Sequence, residues 1–204
     1  MSIKTWITAS GLALCLLAHP AVAGALEEGQ VAYDSEDYAT ALKLLRPLAE
    51  KGNAKAQSRL GQMYALGKGM VRDYAEAVKW YRKAAEQGDI VSQSSLAYLY
   101  IRGIGVPQDF AAAMRWGLLA ANQGDAGAQF DIGTTYALGE GIPQDYVQAH
   151  MWLNLAAAGS SASDTKTRDD AIRNRNIVAK KMSPEQIAEA QRLAREWTAA
   201  HPKK

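Results

Sequence analysis

The sequence predicts an all-α protein: an α/α solenoid of helical hairpins with a C-terminal capping helical hairpin. The first observation is a 36-residue period in the body of the chain. Identical residues recur at this step: Trp80, Trp116 and Trp152; Tyr64, Tyr100 and Tyr136; Gly67, Gly103 and Gly139; Asp73, Asp109 and Asp145. The second is that apolar residues inside each unit follow the helical i, i+3, i+4, i+7 pattern. One hairpin cannot cover its own apolar face, so the repetition predicts a stack.

Composition and charge exclude several classes of protein. The chain has 204 residues, of which 48% are hydrophobic and 22% charged, a balance typical of folded domains. A net charge of +2 is too small for a nucleic-acid groove, so no nucleic-acid partner is expected. Cys15 is the single cysteine, which excludes an internal disulfide and a cysteine-based zinc site. We therefore expect no metal and no cofactor.

Residues 1–23 are predicted to be a secretory signal peptide. Lys4 precedes a mostly apolar run of about 13 residues, and Ala21-Val22-Ala23 has the small-x-small pattern of a cleavage site. Cleavage after Ala23 would place the protein in the periplasm or outside the cell, without stable membrane insertion. The alternative is an uncleaved anchor, although the apolar run is short of the roughly 20 residues that a membrane span needs.

Residues 24–52 are predicted to form a shorter N-terminal hairpin. Its helices cover about 25–33 and 37–51, and Asp34-Ser35-Glu36 joins them. The glycine-rich turn of the later units is missing here. In this respect the pair resembles a tetratricopeptide hairpin.

Residues 53–159 are predicted to form three hairpins of 36 residues. In the middle one, Asp89 caps a first helix that stops at Gly103, and Asp109 caps a second helix that runs to about residue 123. In the other two, Glu76 and Gln148 follow the capping Asp of the second helix by three residues. This spacing predicts reciprocal capping boxes.

Residues 160–204 are predicted to cap the last repeat. A polar linker at 160–164 precedes a helix over about 165–181, and Ser183-Pro184 starts a final helix. The segment 166–181 has six basic and two acidic side chains, a local charge of +4. Two interpretations stay open: a solvated capping helix, which is favoured, and weak contact with an anionic envelope surface.

Segments 64–89, 100–125 and 136–160 carry the paired glycines, the Asp-aromatic pair, the tryptophan and the Ala-Ala at matching positions. They resemble Sel1-like repeats, a family of α/α solenoids related to tetratricopeptide repeats, over about residues 53–159. Two departures are Gly117, which replaces the aromatic after Trp116, and Ala97, which replaces a glycine. The resemblance implies an adaptor that holds protein assemblies together, often in bacterial envelope and signalling systems.

The sequence contains no recognisable catalytic motif. The Asp73, Asp109 and Asp145 series is explained by helix capping, and His150 is interpreted as a packed or surface residue. The repeated tryptophans are predicted to be core residues, with a sugar-stacking ladder as the alternative. The protein is therefore not predicted to be an enzyme. The rival hypothesis is an envelope enzyme acting on a wall polymer or lactam, with no identifiable active site.

The leading hypothesis is a non-catalytic scaffold that binds a protein or peptide on the concave face of the solenoid. In related repeats the first helix of each pair lines this face. Residues opposite the core stripe of the first helices change between repeats, whereas the core types are kept. The candidate binding residues are Arg59, Gln62, Ser95, Tyr98, Arg102, Phe130, Asp131 and Thr134.

Overall fold

The computed structural model describes the backbone of residues 13–202 and the side chains of residues 24–202. Every regular element in this range is an α-helix, which confirms the predicted fold class. The helices are α1 (Ala13–Asp34), α2 (Tyr38–Glu50), α3 (Ala54–Leu66), α4 (Tyr74–Glu86), α5 (Ile90–Arg102), α6 (Phe110–Asn122), α7 (Ala126–Leu138), α8 (Tyr146–Gly159), α9 (Thr165–Ala179) and α10 (Pro184–Ala200). The pairs α1–α2, α3–α4, α5–α6 and α7–α8 are hairpins that stack into a solenoid.

The predicted signal peptide lies largely outside the described residues. Its side chains are not described, and its backbone is described only from Ala13, where α1 begins. Within the described range, no helix combines the length and the apolar character needed to cross a bilayer.

The first helices of neighbouring hairpins, which are the odd-numbered ones, approach one another closely in the middle of the stack. Helix α3 contacts α5, α5 contacts α7, and α7 contacts α9. The second helices of neighbouring hairpins approach one another less closely. Trp116 of α6 packs against an apolar cluster that includes Val78 and Tyr81 of α4. This spacing agrees with the prediction that the first helices line the concave side of the solenoid. The surface of α3, α5 and α7 is called the concave face below.

The loops of the three 36-residue hairpins each contain two glycines, and the two are required for different structural reasons. Gly103 ends α5 in the left-handed region, with φ of 63°, and its N–H donates to the carbonyl of Leu99. Gly105 has φ of 73° and lies directly on the preceding hairpin. A Cβ atom there would be 2.6 Å from the backbone carbonyl of Tyr74. The first glycine ends a helix, and the second lets neighbouring hairpins stack.

The predicted capping boxes of α4 and α8 form only in part. The Asp73 carboxylate accepts the N–H of Glu76, but the Glu76 carboxylate pairs with Lys79 and does not return to the cap. Asp145 likewise accepts backbone N–H groups without the reciprocal bond. The box is complete only at α10 among the described helices, where the Ser183 N–H donates to Gln186 Oε1 at 2.9 Å.

The two helices of most hairpins cross where a glycine faces a large side chain. The pairs are Gly29 with Leu45, Gly61 with Tyr81, and Gly133 with Leu153. In each pair a Cβ atom on the glycine would lie 2.8 Å from the partner side chain. The small residue is thus needed for the close approach of the helices, because any larger one would force them apart.

The third hairpin, α5–α6, uses a different pair at this crossing. Ala97 takes the place of the glycine, and Gly117 takes the place of the large residue. The Ala97 Cβ atom is 3.5 Å from the position that a Cβ atom on Gly117 would occupy. The two departures of this repeat therefore face each other, but the methyl group of Ala97 replaces only a small part of the volume of the missing aromatic ring. Ile132 of the next hairpin reaches into the space that remains.

The three repeated tryptophans differ in burial. Trp152 is buried, with 5% of its surface exposed, whereas Trp80 and Trp116 are only half-buried. The difference arises because α10 covers the outer side of α8, where the Trp197 ring meets Trp152 edge to face at a centroid distance of 6.2 Å. The prediction that all three are core residues is confirmed for Trp152 alone.

The C-terminal helices cap the last repeat through α8. Helix α9 packs on α8 and on α7, whereas α10 packs on α8. Trp197 Nε1 also donates to Asn122 Oδ1 at 3.1 Å, which connects α10 to the end of α6. Close contacts between α9 and α10 are few. The two C-terminal helices thus cap the last repeat mainly through their contacts with α8.

Candidate protein-binding surface

Helices α3, α5 and α7 place equivalent side chains in rows across the concave face. Each has 13 residues, begins at an Asn or Asp cap, and ends at a glycine in the left-handed region. Equal helices with equal ends put residues of the same repeat position side by side. All eight predicted binding residues lie on these three helices.

Arg59 and Gln62 are held by contacts within the protein. The Arg59 guanidinium donates to Gln62 Oε1 at 2.6 Å and through Nε to Gln30 Oε1 at 2.9 Å. It also lies over the Tyr33 ring, 4.3 Å from the centroid. Both Arg59 and Gln62 are half-buried. Their clearest structural role is to join α1 to α3.

Ser95 is also engaged with a neighbouring hairpin. It is half-buried and lies near the hydroxyl of Tyr81 in α4. Burial raises the pKa of Tyr81 to about 12, and the nearby Ser95 side chain partly offsets that effect. Ser95 therefore lies beside a buried tyrosine of the preceding hairpin.

Tyr98 and Arg102 are the accessible members of the set. Tyr98 is 49% exposed, and Arg102 is exposed one turn further along α5. The Arg102 guanidinium lies 5.9 Å from the centre of the Tyr98 ring. An aromatic ring beside a guanidinium is the combination that dominates many protein interfaces.

Phe130 and Thr134 lie at the end of the face that α9 covers. Phe130 packs against a cluster that includes Val178 and Met182. Thr134 is half-buried, and its hydroxyl has no hydrogen-bond partner in the described range. Helix α9 thus contacts α7 at Phe130, whereas Leu138 at the end of α7 stays exposed.

Asp131 lines a narrow apolar pocket between α5, α6 and α7. The walls include Ala97, Ile101, Met114 and Gly117. Its volume of about 10 Å³ has room for about one water molecule. Burial raises the pKa of Asp131 to about 6, and the carboxylate of Asp125 adds to the effect. Within residues 24–202 we find no cationic partner for this carboxylate.

The residues considered for catalysis are placed apart from one another. Asp73, Asp109 and Asp145 each accept backbone N–H groups as helix caps. His150 is buried in α8, and its Nδ1 has no hydrogen-bond partner in the described range. Burial lowers the pKa of His150, and the positive charge of Arg175 lowers it further. The part of the chain with described side chains holds no group of three His, Cys, Asp or Glu residues that could bind a metal ion.

The basic segment at 166–181 is partly neutralised by its own acidic residues. The Lys166 Nζ lies 3.4 Å from Asp170 Oδ2, and Arg173 pairs with the same carboxylate. Arg175 donates to Asn154 Oδ1 at 2.9 Å, which holds α9 against α8. Contact of this segment with an anionic envelope surface stays a prediction.

Sequence reasoning missed the pocket beside Asp131. A signal was present, since Ala97 and Gly117 are departures from the repeat that fall in the same unit. Their spacing of 20 residues does not reveal that they meet, because they lie on different helices. Only the packing of α5 on α6 shows that one space is affected.

The fold and its concave surface define the chain as a helical-repeat solenoid. A family model described as the Sel1 repeat matches residues 12–53, 54–89, 90–125 and 126–161. The chain therefore belongs to the Sel1 repeat family. The first match includes the hairpin at 24–52, so this shorter unit counts as a repeat of the same family. No curated protein has significant sequence similarity to the chain.

Among the solved structures that are similar to this chain are two bacterial proteins. One is a Sel1 repeat protein from Oxalobacter formigenes, with 26% identity and a TM-score of 0.64 over 83% of this chain and 74% of that one. The other is c5321, a protective antigen of uropathogenic Escherichia coli strains that displays an SLR fold. It has 25% identity and a TM-score of 0.60 over 88% of this chain. The aligned region is 46% of the antigen, so this chain spans about half of its length.

Proposed function

We propose that the protein is an exported, non-catalytic scaffold that binds a segment of a partner protein along its concave face. The observation that carries this proposal is the distribution of exposed apolar side chains. Of eight large apolar side chains exposed in the described range, six lie on odd-numbered helices: Val31, Leu66, Val91, Tyr98, Leu138 and Ile177. Exposed apolar surface concentrated on one layer is typical of an interaction site.

The centre of the proposed site is Tyr98 with Arg102 on α5. Leu66 and Leu138 occupy the position of Arg102 in the neighbouring repeats and are also exposed. A partner segment that crosses α3, α5 and α7 would meet an apolar, a basic and an apolar side chain in turn. Sel1 repeats mediate protein interactions in general, which agrees with this assignment.

The rival hypothesis of an envelope enzyme has no specific observation in its favour. It would need a nucleophile or a carboxylate pair in a cleft. The helix-cap Asp residues are bonded to backbone, and His150 faces Arg175 with no carboxylate partner in the described range. The scaffold hypothesis therefore accounts for more of the described residues.

We place the site in the periplasm or outside the cell, on the basis of the predicted signal peptide at residues 1–23. The mature chain would have no cysteine, since Cys15 leaves with the signal. A chain without thiols suits an oxidising compartment. The partner would then be an envelope or secreted protein.

The test is selection of binding peptides from a random display library against the full chain. We expect enriched peptides whose affinity falls about fivefold or more in Tyr98→Ala and in Arg102→Ala, with melting temperatures unchanged. Glu76→Ala on α4, away from the concave face, is the matched control and should leave affinity unchanged. Loss of binding in Glu76→Ala with no loss at Tyr98 and Arg102 would assign the site to the second helices.

A further inference from the structure

The pocket beside Asp131 is space that a large side chain fills in the preceding hairpin. There, Tyr81 packs on Gly61, is 4% exposed, and has its hydroxyl near Ser95 of the next hairpin. The residue 36 positions after Tyr81 is Gly117. Because the third hairpin lacks this ring, Ala97 and Gly117 line an opening toward α7.

The polar residue at the end of this space also changes between the two hairpins. Asp131 is 36 residues after Ser95, so it takes the place of the residue near the Tyr81 hydroxyl. Position 117 is glycine, so no tyrosine hydroxyl reaches Asp131 from α6, and the Ser94 hydroxyl that lines the pocket donates to Asp125 instead. A half-buried carboxylate thus lines an apolar opening and has no cationic partner within residues 24–202.

The charge around the pocket favours a cation. The nearby Asp125 carboxylate is already engaged, because its Oδ1 accepts the N–H of Ala128 at 2.7 Å and the hydroxyl of Ser94 at 3.0 Å. It therefore adds negative charge beside Asp131 without supplying a hydrogen-bond donor to it. The raised pKa of Asp131 has these two causes, burial and Asp125. A bound cation would favour the ionised form of Asp131 and so oppose the effect of both causes on its pKa.

We propose that this pocket binds the ammonium group of a lysine side chain of the partner segment, with the ammonium group on the Asp131 carboxylate and the methylenes on the partly exposed Ile101 and Met114. This inference rests on the proposed function, because the lysine belongs to the bound partner. An ammonium group is close in size to the single water that the cavity of about 10 Å³ holds. A planar guanidinium is wider. The half-buried Ile101 and Met114 offer apolar surface for the lysine stem.

The pocket is next to the exposed centre of the proposed site. Ser94 and Ile101 line the pocket from α5, and they precede and follow Tyr98 by four and three residues on the same helix. Residues at these spacings are neighbours on a helix surface. A segment that packs on Tyr98 can therefore place one lysine in the pocket.

The direct test uses a probe that does not depend on a known partner. The full chain is titrated with Nα-acetyl-lysine methylamide and with the norleucine analogue, which has a similar stem and no charge. Methyl NMR signals of Ala97 and Ile132 report on the pocket. We expect shifts at these methyl groups with the lysine probe and none with norleucine. We also expect the apparent Kd to rise about tenfold or more in Asp131→Asn.

A second variant fills the pocket instead of changing its charge. The double substitution Ala97→Gly with Gly117→Tyr copies the Gly61–Tyr81 pair of the preceding hairpin, and it should abolish the response to the lysine probe. If this variant fails to fold, Asp131→Asn still tests the proposal, because it adds no volume. Equal shifts with lysine and norleucine, or an unchanged Kd in Asp131→Asn, would overturn the inference.

The peptide selection separates this inference from the proposed function. We expect enriched peptides to share a lysine at one position. Replacement of this lysine by norleucine should weaken binding to the natural chain, and it should not weaken binding to the Asp131→Asn variant any further. Peptides that depend on Tyr98 but share no lysine would support the scaffold and refute the lysine pocket. If no peptide is enriched but the lysine probe still shifts the methyl signals of Ala97 and Ile132, the proposed scaffold function would be refuted and the pocket's preference for lysine would not.

Discussion

The Nε2 atom of Gln123 lies 2.7 Å from the Oε1 atom of Gln93, and Gln93 in turn donates to the backbone carbonyl of Ala85. The same chain of hydrogen bonds runs from Gln87 through Gln57 in the preceding repeat. Gln57 and Gln93 therefore each link their own helix to the end of the helix before it. A second glutamine donates to the side-chain oxygen of each, so that this buried acceptor is also satisfied.

Substitution of Gly159 by Gln should stabilise the protein by about 1–2 kcal/mol. Gln129 keeps the bond to Ala121, but its Oε1 is buried without a partner in the described range. Gly159 stands 36 residues after Gln123, and a Cβ atom there would be 3.4 Å from this oxygen. Urea denaturation measures the change. Gly159→Ala, which gains only helix propensity of about 0.5–1 kcal/mol, is the control, and equal stability of the two variants would contradict the prediction.

Equivalent tryptophans should differ in their contribution to stability. Trp152→Ala should lower the free energy of unfolding by about 3–5 kcal/mol, because its ring is covered by Trp197. Trp116→Ala should lower it by about half as much, since that ring is half-buried. Thermal melts of both variants in parallel provide the comparison. Equal losses would mean that α10 does not cover α8 as described.

Asp131 should make the protein less stable as the pH rises from about 4 to about 7. Its folded-state pKa is raised to about 6, so the folded protein binds a proton that the unfolded chain has already released. The stabilising effect is complete below the unfolded pKa and is lost as pH rises through the folded value. Asp131→Asn should therefore gain roughly 1–3 kcal/mol over the natural chain near pH 7 and little near pH 4. Urea melts at the two pH values measure this, and a gain that is the same at both would refute it.

A methyl group at Gly61 should destabilise the protein by about 1–3 kcal/mol, although alanine favours helix formation. A Cβ atom at this position would lie 2.8 Å from the Tyr81 ring, which has no room to move because it is buried. Gly127→Ala on α7 is the matched control, since its Cβ atom would meet only the Asp125 carboxylate, at 3.3 Å. Denaturant midpoints of both variants decide the point, and a stabilised Gly61→Ala would disprove the crossing geometry.

Export should yield a mature chain that begins at Gly24. The reason is the Ala21-Val22-Ala23 pattern, which signal peptidases accept because the small side chains fit their binding sites. N-terminal sequencing of protein from a periplasmic fraction is the measurement. Recovery of the chain with residues 1–23 attached in the inner membrane would indicate an anchor instead.

Most of the helix boundaries were predictable because they depend on local chemistry. Asp109 as a cap, Gly103 as a stop and Ser183 as the start of α10 each act within a few residues of the chain. The concave surface was less predictable. Arg59 was expected to be free for a partner but is bonded to Gln30, which is 29 residues away. Contacts at this distance have no periodic signal in a single sequence.

The sequence by itself determined the number and length of the three hairpins over residues 53–159, because a 36-residue period with glycine stops and Asp caps leaves one way to divide that segment. Tertiary structure alone decided what happens where hairpins meet. It paired Ala97 with Gly117 beside Asp131, and it placed Trp197 over Trp152. The physical reason is that a helix end is set by its own neighbours in the chain, whereas a pocket or a covered ring depends on side chains from separate helices sharing one space.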